Sequence, residues 1–493
     1  MVVAKKHHEL YEELGSIVGA EYVSDDLAIL LPYTRDMSPC PPGKPQGVVV
    51  RPGSVEEVVE LVRLANQTRT PLIPMGGKAT IAGVPPGQPG RGILVDMRRM
   101  DKVLEIDEEN NAVTAQCGIT LGELKGKVNE RGWDIHSADM PLMLDSVGGQ
   151  ISGFGGGGWG RYGHSVGYNH HFILGLKVVL PNGSVIDTGT GEGSWSTYQG
   201  KTWGRALHAP DFTGMFICDG GEFGIKVETT YRMFRLPKFQ KSGVRFWDNL
   251  DEAYQALWEM WEIDPYLYMQ PYAKVLLISP ESVAMFGSMF GAPAIGQKWC
   301  IYWLCVGNSE EEIELKAKTT EAIFAKHGGE VLEPPAGPAV VEFLELIEWE
   351  VGKLASVGVI CGYFELLVSR RDMLECHKWM REFMFNAMRK RGIDIGKRVL
   401  MPGTIMPTGT GCGLSAYDPL VDENDREAVR ALYEAWLEFF EQARRRGYVM
   451  ENSHGHQAKL RAKTWTPEFY NFALTLKKTL DPNNIMNPGV HFE

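Results

Sequence analysis

Residues 146–163 read Ser-Val-Gly-Gly-Gln-Ile-Ser-Gly-Phe-Gly-Gly-Gly-Gly-Trp-Gly-Arg-Tyr-Gly. The run contains a literal G-x-G-x-x-G at Gly155, Gly157 and Gly160. A dinucleotide-binding βαβ unit needs a strand before that fingerprint and a helix opening at its third glycine. The continuation to Gly163 is a poor helix start, so the doubly wound reading fails. Such a run fits backbone lying flat against a large planar ligand, where side chains would collide. Ile151, Phe154, Trp159 and Tyr162 interleave with the glycines and argue for an ordered segment over a flexible loop.

Upstream lies a second small-residue cluster, Pro74-Met-Gly-Gly-Lys-Ala-Thr-Ile-Ala-Gly83. It follows an apolar run at Leu72 that reads as a strand. Glycines here let backbone N–H groups surround an anion, and Thr80 adds a hydroxyl donor. A diphosphate is the natural guest, a tight surface turn the plain alternative.

Around these clusters the first third reads as one unit. Gly47–Val50 begins a strand, and Ser54 with Glu57 has capping-box spacing at a helix start. Val55, Val58, Val59 and Val62 recur at helical period, and the chain returns as a strand at 71–74, giving βαβ. Ile93–Asp96 is a further strand. A hairpin over 103–117 turns at Asn110-Asn111, and Thr120 with Glu123 caps a helix ending near Gly132. Asn182-Gly183, between apolar stretches at 176–180 and 184–188, is the strongest hairpin signal. Locally paired strands mixed with few helices predict an α+β fold.

Beyond about residue 237 the texture changes. Helices are predicted at 251–263, 310–327, 372–391 and 423–446, and strands near 274–278, 299–306 and 359–368. Gly328, Gly392 and Gly447 stand where helix C′ residues belong. The alternation suggests an α/β second domain, a sheet covered by helices. The turn-rich tail Asp481–Gly489 is expected to dock on the first domain.

A chain of 493 residues is too long for one core, so two domains are expected. The formal net charge of −12 argues against a nucleic-acid partner, which needs a positive excess to displace counterions. The eight cysteines form no C-x-x-C pair and read as buried free thiols in a reducing compartment, not as zinc or iron–sulfur ligands. The N-terminus shows no signal peptide and no stretch is long and apolar enough to span a membrane, so a soluble, cytoplasmic protein is expected.

The order of segments resembles the vanillyl-alcohol oxidase and p-cresol methylhydroxylase superfamily, with its glycolate oxidase and D-lactate dehydrogenase flavoproteins. The resemblance is carried by the Gly76-Gly77 loop, Ile93–Asp107, Thr114–Leu124, Ser146–Gly149, Arg161-Tyr-Gly163, Leu176–Gly183, Phe212–Phe216, Gly221–Ile225 and the Asp481–Gly489 tail. It implies a discontinuous FAD-binding domain of the p-cresol methylhydroxylase type at 1–237 and 450–493. Residues 238–449 would form a substrate domain capping the flavin ring.

Carried over by position, the diphosphate loop would comprise Pro74, Met75, Gly76, Gly77, Lys78, Ala79, Thr80 and Gly83. Ser146, Gly148, Gly149, Ser152, Gly153, Gly156, Tyr162 and Gly163 would line the diphosphate, ribityl chain and ring. Glu222, Gly224 and Ile225 would hold the adenine side by backbone contacts. Covalent members often place histidine in the first loop; here Lys78-Ala79 stands there, so dissociable FAD is expected. The hydroxy-acid branch's G-H-x-G-D-G-N-x-H metal motif is replaced by Pro402–Gly413, which has no histidine, and no metal is assigned. Where the aromatic-alcohol branch puts a tyrosine and an arginine on phenolate, this chain has Glu451-Asn452.

Flavin oxidation of an alcohol needs a hydride path from carbon to the flavin N5 and a base for the hydroxyl proton. His454 and His456, at alternate positions of a segment read as extended, are the first candidates, with a structural histidine pair as the alternative. Glu451 and Asn452 are second candidates for orienting substrate. His170, His171, Tyr363 and Tyr417 are candidates for substrate contact, each with an ordinary packing role as the alternative. The reading is an FAD-dependent oxidoreductase acting on a small alcohol or hydroxy acid and passing electrons to a carrier protein or oxygen. The resemblance makes a homodimer or larger assembly plausible. An electron-transfer subunit of a larger complex, or a redox-neutral enzyme of the alkylglycerone-phosphate synthase type, remain alternatives.

Overall fold

A computed structural model describes residues 9–78, 87, 89–136, 144–153, 169–189, 204–205, 210–262, 274–289, 298–331, 341, 358–408, 411–451 and 455–492. The first sheet comprises β1 (Val23–Ser24), β2 (Val48–Val50), β3 (Leu72–Met75) and β4 (Ile93–Asp96), in the order β1-β2-β4-β3. Strands β2, β4 and β3 run parallel, as the βαβ reading requires. The crossover helix Val55–Thr68 opens with Ser54 accepting from the Glu57 N–H at 3.2 Å. The Glu57 carboxylate reaches back to the Gly53 N–H instead of that of Ser54. Val58, Leu61, Val62 and Ala65 are buried under this helix.

The second sheet holds β5 (Val103–Asp107), β6 (Ala112–Gln116), β7 (Trp133–Ile135), β8 (Ile173–Val179), β9 (Val185–Asp187) and β10 (Ile225–Arg235). Its order is β5-β6-β10-β8-β9, with β7 also on β10, and every pairing is antiparallel. The two predicted hairpins turn at Asn111, φ 55°, and Gly183, φ 83°. Thr120 and Glu123 form the complete reciprocal capping box. Strand β7 gave no sequence signal, because it is three residues long and carries a carboxylate at its centre. Asp134 is tolerated there because Lys125 meets it at 2.6 Å, both side chains buried.

Apart from a separate two-stranded pairing of β14 (Val359–Cys361) and β18 (Leu420–Asp422), the third sheet draws on β11 (Phe239–Trp247), β12 (Lys274–Ile278), β13 (Trp299–Gly307), β15 (Phe364–Ser369), β16 (Gly403–Pro407), β17 (Cys412–Tyr417) and β19 (Val449–Met450). Its order is β11-β13-β12-β16-β17-β15-β19. Helices Leu250–Trp261, Glu310–Lys326, Met373–Lys390 and Arg426–Arg445 match the four expected. Their apolar sides share one core with alternate residues of the strands. The strands all pair antiparallel, and the helices cover this sheet as expected for the second domain. Helical returns between antiparallel strands give the same sequence alternation as crossovers between parallel ones.

The C-terminal helix Pro467–Leu480 had not been expected. After it the tail lies along β3: the Leu72 N–H donates to Ile485 O at 2.7 Å and the Asn487 N–H to Leu72 O at 2.8 Å. No described helix is long and apolar enough to cross a membrane.

Candidate cofactor and active site

Strand β3 delivers the chain into Gly76-Gly77-Lys78, which lies directly on the segment 144–149. A Cβ on Gly76 would stand 1.7 Å from Ser146 Oγ, and one on Gly77 would stand 1.5 Å from Leu144 O. Only glycine permits this approach. The Ser146 hydroxyl fastens the two segments by accepting from the N–H groups of Gly77 and Gly149, at 3.2 and 3.3 Å. Gly148 packs on Cys117, where a Cβ would stand 2.9 Å from the cysteine Cβ, and the Cys117 carbonyl accepts its N–H at 2.7 Å. From the opposite side, the turn before β10 brings in Gly220, Gly221, Gly224 and Ile225.

These pieces enclose one cleft. Of the residues predicted from sequence, Pro74, Met75, Gly76, Gly77 and Lys78 line it, together with Ser146, Gly148, Gly149, Ser152, Gly224 and Ile225. Gly153 ends the helix Val147–Gly153 and is not part of the lining. Ala79, Thr80, Gly83, Gly156, Tyr162 and Gly163 fall outside the described residues. Sequence reasoning missed Asp36, Met97, Cys117, Asp145, Lys226, Gly455 and Asn487 in the lining. The Gly220-Gly221 pair was a usable signal, and Met97, Cys117 and Asn487 lie within segments that carried the resemblance, whereas Asp36, Asp145, Lys226 and Gly455 stood outside them.

Charge in the cleft is arranged around Lys78, whose backbone takes the left-handed conformation, φ 59°. Its ammonium lies over the Tyr33 ring at 5.3 Å. The Tyr33 hydroxyl donates to Asp96 at 2.7 Å, and Arg98 meets the same carboxylate at 2.6 Å. Burial pushes Lys78 down to about 8, although Asp36 acts in the other direction. Burial pushes the Asp145 carboxyl up to about 7, which reduces its repulsion toward a bound anion. Close-packed glycines with a nearby cation suit a diphosphate.

Glu222 requires a correction. It is fully buried, its carboxylate accepts from the N–H and Nδ1 of His491, both at 2.9 Å, and it is not part of the cleft lining. Its own N–H and C=O are engaged by Asp219 and Lys477. The residue anchors the C-terminal tail instead of presenting backbone to a nucleotide.

A second group is tied to the cleft through the chain. The Tyr363 hydroxyl donates to the buried Glu451 carboxylate, so two candidates far apart in the sequence are in contact. The Tyr363 carbonyl accepts from Trp436 Nε1 at 2.9 Å, and the His456 ring lies 5.6 Å from that indole. Two chain connections tie this group to the cleft. Glu451 leads in four residues to Gly455, which lines it. On the other side, Met37 follows the cleft residue Asp36 and accepts the Cys361 N–H at 2.7 Å.

His456 is not on an extended segment. It is the second residue of the helix Gly455–Ala462, so strand alternation cannot pair it with His454. Its Nε2 is buried without a hydrogen-bond partner among the described residues. Burial, with Lys459 and Lys463, holds its pKa below the ordinary value. Asn452 and His454 lie outside the described residues.

Tyr417 is a core residue, a further correction. It faces the helices, stacks on His377 at 4.9 Å and hydrogen-bonds His377 Nε2 at 3.3 Å. Burial pushes that histidine down to about 3, so it stays neutral. His170 and His171 fall in a short turn over Asn169–Phe172, where His171 is exposed and the His170 side chain is outside the described set. All eight cysteines are free.

Comparison with known proteins decides the class. A profile of the FAD binding domain matches residues 46–189, and one of the C-terminal domain of FAD linked oxidases matches residues 273–490. The chain is an FAD-linked oxidoreductase. This oxidoreductase is 23% identical to the glycolate oxidase subunit GlcD of Bacillus subtilis (strain 168), over 98% of this chain and 97% of that one. It is likewise 23% identical to the 4-cresol dehydrogenase [hydroxylating] flavoprotein subunit of Pseudomonas putida, over 99% and 96% of the two chains. A crystal structure of p-cresol methylhydroxylase with substrate bound superposes with a TM-score of 0.78 at 17% identity, covering 98% of this chain and 96% of that one. The p-cresol methylhydroxylase fold predicted from the order of segments is therefore the fold of this oxidoreductase.

Proposed function

We propose that this enzyme oxidises a small alcohol or hydroxy acid with FAD held non-covalently. The observation that carries the reading is the meeting of three sequence-distant glycine segments in one cleft, whose lining also takes in Gly455 at the start of the His456 helix. Bound FAD supplies a two-electron acceptor; the chain's own residues bind, orient and move the proton.

Gly76, Gly77 and Lys78 hold the diphosphate, by backbone N–H groups and one cation. Ser146, Gly148, Gly149 and Ser152 line the next part of the cofactor, and Gly224 and Ile225 its other end. Tyr363 and Glu451 orient the substrate. His456 or His454 receives the hydroxyl proton; burial favours the neutral imidazole of His456, the form a base requires. The first loop offers no histidine for a covalent flavin bond, since Lys78 and Ala79 stand there. Residues 1–237 and 450–493 form the FAD-binding domain and 238–449 the cap. A carrier protein or oxygen takes the electrons, and the enzyme works as a cytoplasmic homo-oligomer.

Anaerobic mixing of the yellow holoenzyme with a panel of alcohols and hydroxy acids tests the reading. Loss of visible flavin absorbance with at least one of them is expected. A flavin that no alcohol or hydroxy acid reduces would sink it. Acid precipitation checks the linkage, with colour expected in the supernatant and not in the pellet.

A further inference from the structure

We propose that the side-chain carbonyl of Asn487 accepts a hydrogen bond from the adenosine half of FAD, so that the C-terminal tail reads the nucleotide. The inference rests on the FAD reading above and adds a recognition residue to it. Asn487 is 3% exposed and lines the cofactor cleft. Its backbone N–H donates to Leu72 O at 2.8 Å, and its Nδ2 donates to Gly220 O at 2.6 Å. Gly220 O is a carbonyl and only accepts, so the amide nitrogen must face it, which fixes the way round of the carboxamide. The remaining side-chain atom, Oδ1, is buried and has no hydrogen-bond partner among the described residues.

The neighbours put this carboxamide on the cleft wall. A Cβ on Gly221 would stand 3.4 Å from Pro74 Cγ and 3.5 Å from Asn487 Nδ2, and Gly221 and Pro74 both line the cleft. The backbone of Asn487 takes the left-handed conformation, φ 41°, which asparagine tolerates better than most residues. Pairing with β3 holds that backbone and Gly220 holds the amide, so Oδ1 cannot turn away to find another partner. A buried acceptor without a donor costs free energy, and native folds leave few of them. The donor comes from what the cleft binds.

Chemistry narrows that donor. A diphosphate at neutral pH offers only acceptor oxygens, so Oδ1 does not face the part held by Gly76, Gly77 and Lys78. Asn487 is fixed to Gly220, at the head of the turn whose Gly224 and Ile225 line the other end of the cofactor. The donors of the adenosine half are the exocyclic amine of adenine and the two hydroxyls of its ribose. Either kind brings the same chemistry, a neutral N–H or O–H meeting an amide oxygen. The contact also favours the dinucleotide over FMN, which lacks that half.

The test is calorimetric titration of the flavin-free chain with FAD and with ADP, which carries the adenosine and the diphosphate but no flavin. Inosine diphosphate replaces the amine, and 2′-deoxy-ADP and 3′-deoxy-ADP each remove one hydroxyl. Asn487→Gly removes the carboxamide without straining the positive φ. FAD and ADP are expected to bind this variant about tenfold or more weakly. One analogue is expected to bind the wild-type chain about tenfold more weakly than ADP, yet to match ADP in the variant, because both changes delete the same hydrogen bond. That analogue identifies the donor as amine or hydroxyl. A wild-type chain that binds FAD but not ADP, or a variant that loses FAD affinity and keeps its ADP affinity, overturns the inference and leaves the FAD reading standing. So does a variant in which every analogue keeps its wild-type ratio to ADP, since the carboxamide is then only structural. In the wild-type chain alone, three analogues that all bind as tightly as ADP overturn it whatever the variant's stability. A chain that binds neither FAD nor ADP removes the FAD reading and the inference together.

Discussion

At the scale of single residues, the cofactor cleft depends on missing side chains as much as on present ones. Gly77 has no room for a methyl group, since the obstacle is the backbone carbonyl of Leu144 at 1.5 Å. Gly77→Ala must displace the loop, at a cost of about 1–3 kcal/mol for an overpacked contact. FAD affinity should fall between about fivefold and a hundredfold, as 1.4 kcal/mol is about tenfold, when flavin is titrated into the apoprotein. Lys78 sets a pH dependence. Burial holds its pKa at about 8, against an ordinary value of 10.5. Between these values the unfolded chain binds more protons, so this residue makes apoprotein stability rise with pH across that window. FAD affinity should do the reverse, flat below about 8 and falling above it as the cation is lost. Lys78→Met should remove the slope, and a slope unchanged in that variant would deny Lys78 its place on the diphosphate.

At the scale of elements, the tail beside β3 is a working part of the cleft. It pairs with the strand that delivers the first glycine loop, and Asn487 reaches the lining. Its anchors are Glu222 on His491 and Lys477 on Asp481, all buried. Glu222→Ala would strand the N–H and ring nitrogen of His491, costing about 1–3 kcal/mol for each buried polar group left unpaired. A lower melting temperature together with weaker FAD retention is the expected result; lower stability with unchanged retention would show the tail to be only structural. Elements with local chemistry were legible in the sequence. Ser54 and Thr120 cap helices as their spacing indicates, and Asn182-Gly183 turns its hairpin. Strand β7 and the β16–β17 hairpin were not legible. One hides a carboxylate neutralised by a distant lysine, and the other has glycine and proline inside its strands. The same limit misled the reading of His454 and His456, where a glycine-flanked stretch looked extended and Gly455–Ala462 is helical.

At the scale of the whole molecule, the cofactor cleft gathers residues from 36, 74–78, 97, 117, 145–152, 220–226, 455 and 487. Glycine loops announced three of these segments, but the closing partners came from positions that no local pattern connects. Glu451 and Tyr363 show the same effect, being 88 residues apart and in contact. The large core under the four helices is built almost wholly from residues 247–450 and contains none of the cleft lining. The core of the first sheet, by contrast, includes the lining residues Met97 and Ile225 and the tail's Ile485 and Met486. A ligand that binds only the folded cleft adds about 2.7 kcal/mol at a hundred times its dissociation constant. That gain belongs to the part of the chain that forms the cleft. Calorimetry of the apoprotein should therefore resolve two unfolding steps, and added FAD should raise one of them while the helix-covered part holds its temperature. If both steps move together, the Tyr363–Glu451 pair and the strap at Met37–Cys361 couple the two parts tightly enough that cofactor binding is felt across the entire molecule.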